Sequence, residues 1–369
     1  MNQLFRWDQT GLFLLALAAG ILPFAVPEVC AAALREGLTL CSGPLLLSLF
    51  PFLVVSHLLI QCPESDLLAL PFRLAAWGIG IRTPCAARVL CIGFLGGFAP
   101  AASAAAQAVR TGQLTAEEAD ALLPACICSG PSFVVLTVGQ SLLGSAELGV
   151  LLFASQITAN YLTAALLNRF AGVRSVKPGS AAPASHAPPR LDEILADAAI
   201  TYCKLCGFIL FFRMLAAGAG ALLPAGAGTL CSILLEVCSG CDLASRTGRW
   251  GSLLCCAALS VQGLSVLLQV RTICPPEMTL RPLYRARMLH LPLSLALFYL
   301  LLPGGEADVF STLSARVLLM RRVPPDCALL VFAVCCMAAC TLRSGIRQVE
   351  QKQMARNAGG CCINSKTLL

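Results

Sequence analysis

The sequence predicts an all-α, polytopic helical membrane protein, built as two pseudo-repeat halves with broken (re-entrant or half) helices. Three observations carry this reading. Charged residues are 12% of the 369 and hydrophobic residues 57%, with a mean hydropathy of +0.80. An ordinary soluble domain is about a quarter charged, so this composition excludes a disordered chain and leaves little room for a soluble globular one. The apolar runs are continuous rather than alternating, which argues against a β-barrel. Glycine and proline interrupt those runs at matching places in two halves. At ~20 apolar residues per crossing, the length allows roughly eight to ten spans.

The first apolar run, Gly11 to Leu34, is interrupted by Pro23, Pro27 and Glu28. It is too long for the apolar core of a signal peptide and reads as an uncleaved first span. Gly43 to Ile60 follows, with Phe50-Pro51-Phe52 inside it, then Leu67 to Ile81. The run Cys85 to Val109 carries Gly93, Gly96, Gly97 and Pro100 at its middle, which predicts a break there. The polar stretch after Arg110 holds Thr115 and Glu118 at capping-box spacing, so a short helix opens at that point. It runs to Ser129-Gly130-Pro131-Ser132, a second interruption, after which come a half-segment, Phe133 to Leu143, and a full span, Leu148 to Phe170.

Residues 172–191 are rich in Pro, Ala and Ser and read as a linker between a first membrane half, 1–171, and a second, 192–343. The second half opens with Asp192-Glu193 and a span from Ala198 to Leu223 that carries Lys204 and Arg213. Thr229 to Cys241 contains Glu236 and ends in Cys238-Ser239-Gly240-Cys241. Gly251 to Ile273 is interrupted by Gln262-Gly263. After a basic connection with Arg281, Arg285 and Arg287, two more spans are expected, Met288 to Leu302 and Val323 to Leu342. A basic tail, 344–369, favours a cytoplasmic C-terminus.

The order of events repeats. Gly96-Gly97 and then Ser129-Gly130-Pro131 interrupt the first half; Ser239-Gly240 and then Gln262-Gly263-Leu-Ser265 interrupt the second. Gly/Pro-interrupted segments in corresponding positions are what repeat-built transporters place at their substrate site. Unwound backbone at membrane depth is tolerated only inside protein or beside water. A half-helix starting there directs unpaired N–H groups and a positive dipole end into the cavity, where carboxylate or phosphate is attracted. Pro131 suits a first helical turn, which needs no N–H donor. Small residues also serve plain close packing between membrane helices, and it is the matching order of four motifs that favours a site.

Ionisable groups within spans are candidates by default. Glu236 lies deep in an apolar run, where a charge costs at least ~2.5 kcal/mol; it reads as a coupling or substrate-binding group, or as a partner for Lys204 or Arg213. Arg213 is the better candidate to pair an anionic substrate. Gln262, Ser265 and Gln269 form a polar stripe on one helical face. A lone His57 reads as a packing residue. The 21 cysteines include two CxxC pairs, Cys203/Cys206 and Cys238/Cys241, inside or beside apolar helices. With only His57, His186 and His290 in the chain, neither a metal site nor a cofactor is expected, and cysteine reads as a small apolar packing residue. No nucleotide loop or nucleophile–base pattern appears, so no enzyme is expected. The net charge of +7 sits in connections and tail, and the lipid bilayer rather than nucleic acid is the expected partner. Homo-oligomerisation is left open.

Two stretches resemble a known family. One comprises Gly93-Phe-Leu-Gly-Gly-Phe-Ala-Pro100, the loop Gly112 to Leu123, Ser129-Gly130-Pro131-Ser132-Phe133 and Thr137-Val-Gly139. The other comprises Leu235-Glu236-Val-Cys-Ser-Gly240, Ser260 to Gln269, and Tyr284 with Arg287 and His290. Together they resemble the sporulation integral membrane protein family of the YlbJ type (stage V sporulation protein V), within the nucleoside-recognition or Gate domain superfamily. The resemblance implies a fold like the concentrative nucleoside transporters, placement in the outer forespore membrane, and movement of dipicolinate from mother cell to forespore. On that basis the half-helix starts at Ser129–Ser132 and Gln262–Ser265 would each receive one carboxylate, with Phe98 or Phe133 against the ring. The alternatives are a nucleoside or cation permease of the same superfamily, or a non-transporting membrane scaffold.

Overall fold

The computed structural model describes residues 9–61, 65–172 and 191–302. The predicted span Val323–Leu342, the tail, His186 and nearly all of the predicted linker lie outside them. The described residues are helical and contain no strand.

The chain begins with α1 (Gln9–Ala25) and α2 (Pro27–Ser42), which meet at 108°. The expected single span Gly11–Leu34 is therefore a bent pair. Val26 precedes a proline and is pushed out of the helical region, to φ −138° and ψ 63°, while Pro27 opens α2 at its first turn. Next come α3 (Pro44–Gln61) and two short helices, α4 (Ser65–Leu68) and α5 (Leu70–Gly78). α6 (Pro84–Gly96) and α7 (Phe98–Arg110) form the first broken pair. α7 is alanine-rich, and Ala99 through Ala106 are all buried, which lets neighbouring backbones approach closely at the centre of the fold.

α8 (Ala116–Cys126) starts with the predicted capping box. The Glu118 N–H donates to the Thr115 hydroxyl at 3.1 Å, and the Thr115 N–H donates to the Glu118 carboxylate at 3.2 Å. Thr115→Ala is expected to lower stability by about 1 kcal/mol, read as a drop in melting temperature in detergent, with Thr115→Ser near wild type. After α8 the chain unwinds over 127–130. It then rewinds through Ser132–Leu142 as a π-helix, a wider winding than α, and continues into α9 (Ala146–Ala171).

α10 (Leu191–Leu222) packs along α2, α3 and α11 (Ala225–Leu235). α12 (Val237–Ser245) follows directly on α11, and α13 (Gly251–Val261) leads into α14 (Gly263–Ile273). α15 (Arg281–Leu301) starts seven residues before the expected span, so Arg281, Arg285 and Arg287 belong to a helix and not to a connection. Its first turn is set by the first half. Asp120 of α8 accepts from the Thr279 N–H at 2.8 Å, the Thr279 hydroxyl at 2.7 Å and the Leu280 N–H at 3.1 Å.

Among the described residues, three stretches are long and apolar enough to cross a membrane: α9, α10, and Gly248–Ile273, which contains α13 and α14. The bent α1–α2 pair makes a fourth if it counts as one span. Among the described residues, much of the remaining apolar sequence is divided among helices of 9–13 residues on either side of breaks, each too short to cross alone. The exterior fits a helical protein of the bilayer: Phe24, Phe170, Met288 and Leu300 lie at the surface, each more than three-quarters exposed. An apolar groove between α13 and α15 carries Trp250 and Tyr299, with the Arg249 guanidinium 5.2 Å above the Trp250 ring, a composition suited to a membrane–water interface.

Candidate functional site

Four helix breaks define the interior. The first is Gly97, at φ +82° between α6 and α7. The second is the unwound 127–130. The third is Glu236, extended at φ −150° and ψ 125° between α11 and α12. The fourth is Gln262–Gly263, with φ +62° and +70°.

Within each half the two breaks pack on one another. A Cβ on Gly97 would stand 2.7 Å from the Gly130 nitrogen, and one on Gly263 would stand 2.9 Å from the Glu236 nitrogen. Only glycine permits both the positive φ and the backbone contact at these two points.

Three of the four breaks border one cavity of about 70 Å³. Gly96 and Phe98 line it from the first, Ser129, Gly130, Ser132 and Phe133 from the second, and Glu236, Val237 and Cys238 from the third. α3 adds Leu45, Leu49 and Phe52, and α14 adds Gln269. Polar groups from both halves thus meet in a largely apolar chamber. The volume accommodates several waters, whereas a benzene-sized ring takes about 150 Å³. A planar aromatic ligand therefore requires Leu45, Leu49 or Phe98 to shift. The lining holds one carboxylate, Glu236, and no Lys, Arg or His.

Glu236 is 2% exposed and caps α12: one carboxylate oxygen accepts from the Cys238 N–H at 2.9 Å, the other from the Ser239 N–H at 2.7 Å. The helix start offers positive partial charge, and these charge-assisted bonds hold the carboxylate there without a basic partner. Neither Lys204 nor Arg213 is hydrogen-bonded to it. Arg213 pairs with Glu36 at 2.8 Å while its charge still acts on Glu236 and Cys238 of the lining, and Lys204 is exposed.

The third break also differs from its expected place. It falls at Glu236, so Ser239 and Gly240 lie inside α12; the Ser239 N–H is taken by Glu236, and Gly240 packs on Ile233.

The fourth break stands behind the lining. The Gln262 amide donates to the Ile127 carbonyl at 3.4 Å, and Ser265 accepts from the Gln269 amide at 2.9 Å. Gln262 is thereby separated from the Ser265–Gln269 stripe, because the break turns it out of α14. Gln269 alone of the three reaches the cavity, with its carbonyl oxygen unpartnered. Pro131 occupies the cap position of the π-helical segment. His57 bonds Ser103 at 2.8 Å and is buried, as a packing residue should be. Every cysteine among the described residues is a free thiol, and no group of three metal-ligating side chains occurs among them.

A second polar cluster, behind Ile127, escapes the site prediction. The Ile127 carbonyl accepts from Asn160 at 3.2 Å, from Arg287 at 2.9 Å and from Gln262. Beside it, Gln156 donates to Ser260 at 2.9 Å, and the His290 ring bonds the Gln156 carbonyl at 3.2 Å. The spacing of Arg287, His290 and Ser294 is a readable signal of one polar helix face, provided that the helix is started at Arg281.

The fold and cavity define a helical integral membrane protein with a largely apolar chamber, carrying a few polar groups, at its helix breaks. No known family model, curated protein or solved structure matches the chain.

Proposed function

We propose that the chain is a membrane transporter whose substrate site is the cavity between the breaks, and that its substrate is a small organic anion, dipicolinate. The observation that carries the transport reading is the convergence of three breaks, from both halves, on one chamber. The matching order of broken pairs supports two pseudo-repeats with the architecture of concentrative nucleoside transporters. The resemblance to the YlbJ-type family supports dipicolinate as the substrate and the outer forespore membrane as the location. The first-turn N–H groups of the segment that starts at Ser132 would meet a carboxylate, and Phe98 and Phe133 line the space for a ring.

A second reading, a nucleoside or cation permease, is favoured by one feature: the lining carries a carboxylate and no basic side chain. Uptake into proteoliposomes separates the readings. Labelled dipicolinate is expected to enter and labelled nucleoside to be excluded, and Ser129→Ala with Gly130→Val lowers dipicolinate uptake several-fold at equal protein level. Nucleoside uptake without dipicolinate uptake establishes the second reading. Uptake of neither leaves a scaffold.

A further inference from the structure

We propose that Arg287 is the positioning charge for the anion in the cavity, acting from behind the second break. This rests on the anion-transport reading above.

Arg287 lies in α15 and is 7% exposed. Among the described residues its hydrogen-bond partners are neutral oxygens: the Ile127 carbonyl at 2.9 Å, the Asn160 side chain at 3.1 Å and the Ser260 carbonyl at 3.4 Å. Its Nε has no partner. Among the described residues no carboxylate pairs with it. By contrast, Arg88 has Asp66 at 3.2 Å and Arg213 has Glu36 at 2.8 Å. Guanidinium stays protonated when buried, and an unpaired charge inside a membrane protein is costly. A uniformly structural residue at this place needs donors, which Gln or Asn supply without charge. A buried charge at this place needs a counter-charge.

The cavity lies on the far side of the segment that Arg287 holds. Ile127, to which Arg287 is bonded, is two residues from Ser129 of the lining, at most ~7 Å of chain. The segment between them is unwound and presents its carbonyl to Arg287 on one side and its small residues to the cavity on the other. Glu236, the one carboxylate of the lining, is already held by the start of α12. The field of Arg287 therefore reaches an incoming anion across the 127–130 segment without direct contact. At a separation of about 10 Å and an effective dielectric of about 20, each substrate charge gains roughly tenfold in affinity.

Charge counting on the ligand tests this. Binding of dipicolinate, with two carboxylates, and of its monoamide, with one, is measured on the detergent-solubilised full chain. Arg287→Gln keeps a donor for Ile127 and removes the charge. Asn160→Asp keeps Arg287 and neutralises it in place, which covers the case in which Arg287→Gln does not fold. Both variants are expected to weaken dipicolinate roughly tenfold more than the monoamide, and Arg287→Lys is expected to keep the wild-type ratio. An equal loss for both ligands makes Arg287 a structural tie and overturns the proposal. Wild-type protein that binds neither ligand overturns the anion-transport reading and this proposal with it; wild-type binding with an unchanged ratio in both variants overturns this proposal alone.

Discussion

Gly97→Val is expected to abolish the folded state or reduce it to a trace. Gly97 adopts φ +82° with ψ −163°, a region entered almost only by glycine, at a cost of order 1–3 kcal/mol for other residues. The contact is worse than the torsion. A Cβ there lies 2.7 Å from the Gly130 nitrogen and 3.0 Å from its Cα, and both are backbone atoms that no rotamer change can withdraw. Separating them moves the first break away from the second and opens the chamber that both line. The size of the effect is several kcal/mol, a large part of the stability of an ordinary protein. Size-exclusion recovery in detergent and thermal unfolding check it. A monodisperse Gly97→Val protein melting within a few degrees of wild type overturns the packing described for the two breaks. Gly263→Val, against the Leu235–Glu236 backbone, should behave the same way.

Glu236→Leu carries the second-largest expected loss. Leucine matches the apolar surroundings, and a simple hydropathy argument makes the exchange favourable. The two N–H groups of Cys238 and Ser239 reverse that sign, because both lose their acceptor in a site 2% exposed. Each buried donor left unpaired costs about 1–3 kcal/mol, so the pair costs roughly 2–6 kcal/mol. Glu236→Gln keeps one acceptor oxygen and is expected to lose about half as much. Melting temperatures in the order wild type, Gln, Leu support the cap. Leucine at or above wild type shows that the carboxylate is not what holds α12 open. Transport by the Gln variant, where it folds, reads whether the negative charge takes part.

The punctuation of the fold is legible in the sequence wherever one residue type answers to a local backbone need. Gly96-Gly97, Gln262-Gly263 and the Thr115/Glu118 box all sit at the breaks and caps that their chemistry predicts. Glu236 is legible as a buried carboxylate but not as a helix start. Its partners are backbone amides two and three residues away, and these look like helix interior until the extended torsion at Glu236 is known.

The ion pair of Arg213 and the inward turn of Arg287 are not legible in the sequence, for a different reason. Which arginine meets a carboxylate depends on Glu36 standing 177 residues from Arg213, and Arg287 is turned inward by a helix that begins in a basic connection. The chamber's composition is half legible. Ser129, Gly130, Phe98 and Phe133 follow from their motifs, whereas Leu45, Leu49 and Phe52 of α3 come from how α3 packs across the breaks. Phe52 stands out only as part of Phe50-Pro51-Phe52, and nothing in the pattern of Leu45 and Leu49 marks them.

The clamp of Asp120 on Thr279 and Leu280 sets a birth order for the molecule. Its two ends are 159 residues apart. At about 5–20 residues per second, the carboxylate waits roughly 8–30 s for its partner to be made. Through that interval its oxygens lack the two backbone N–H groups and the hydroxyl that hold them in the folded chain. When Thr279 and Leu280 arrive, the carboxylate fixes where α15 begins, and the last described helix is docked against one that had been standing by since the first half was synthesised.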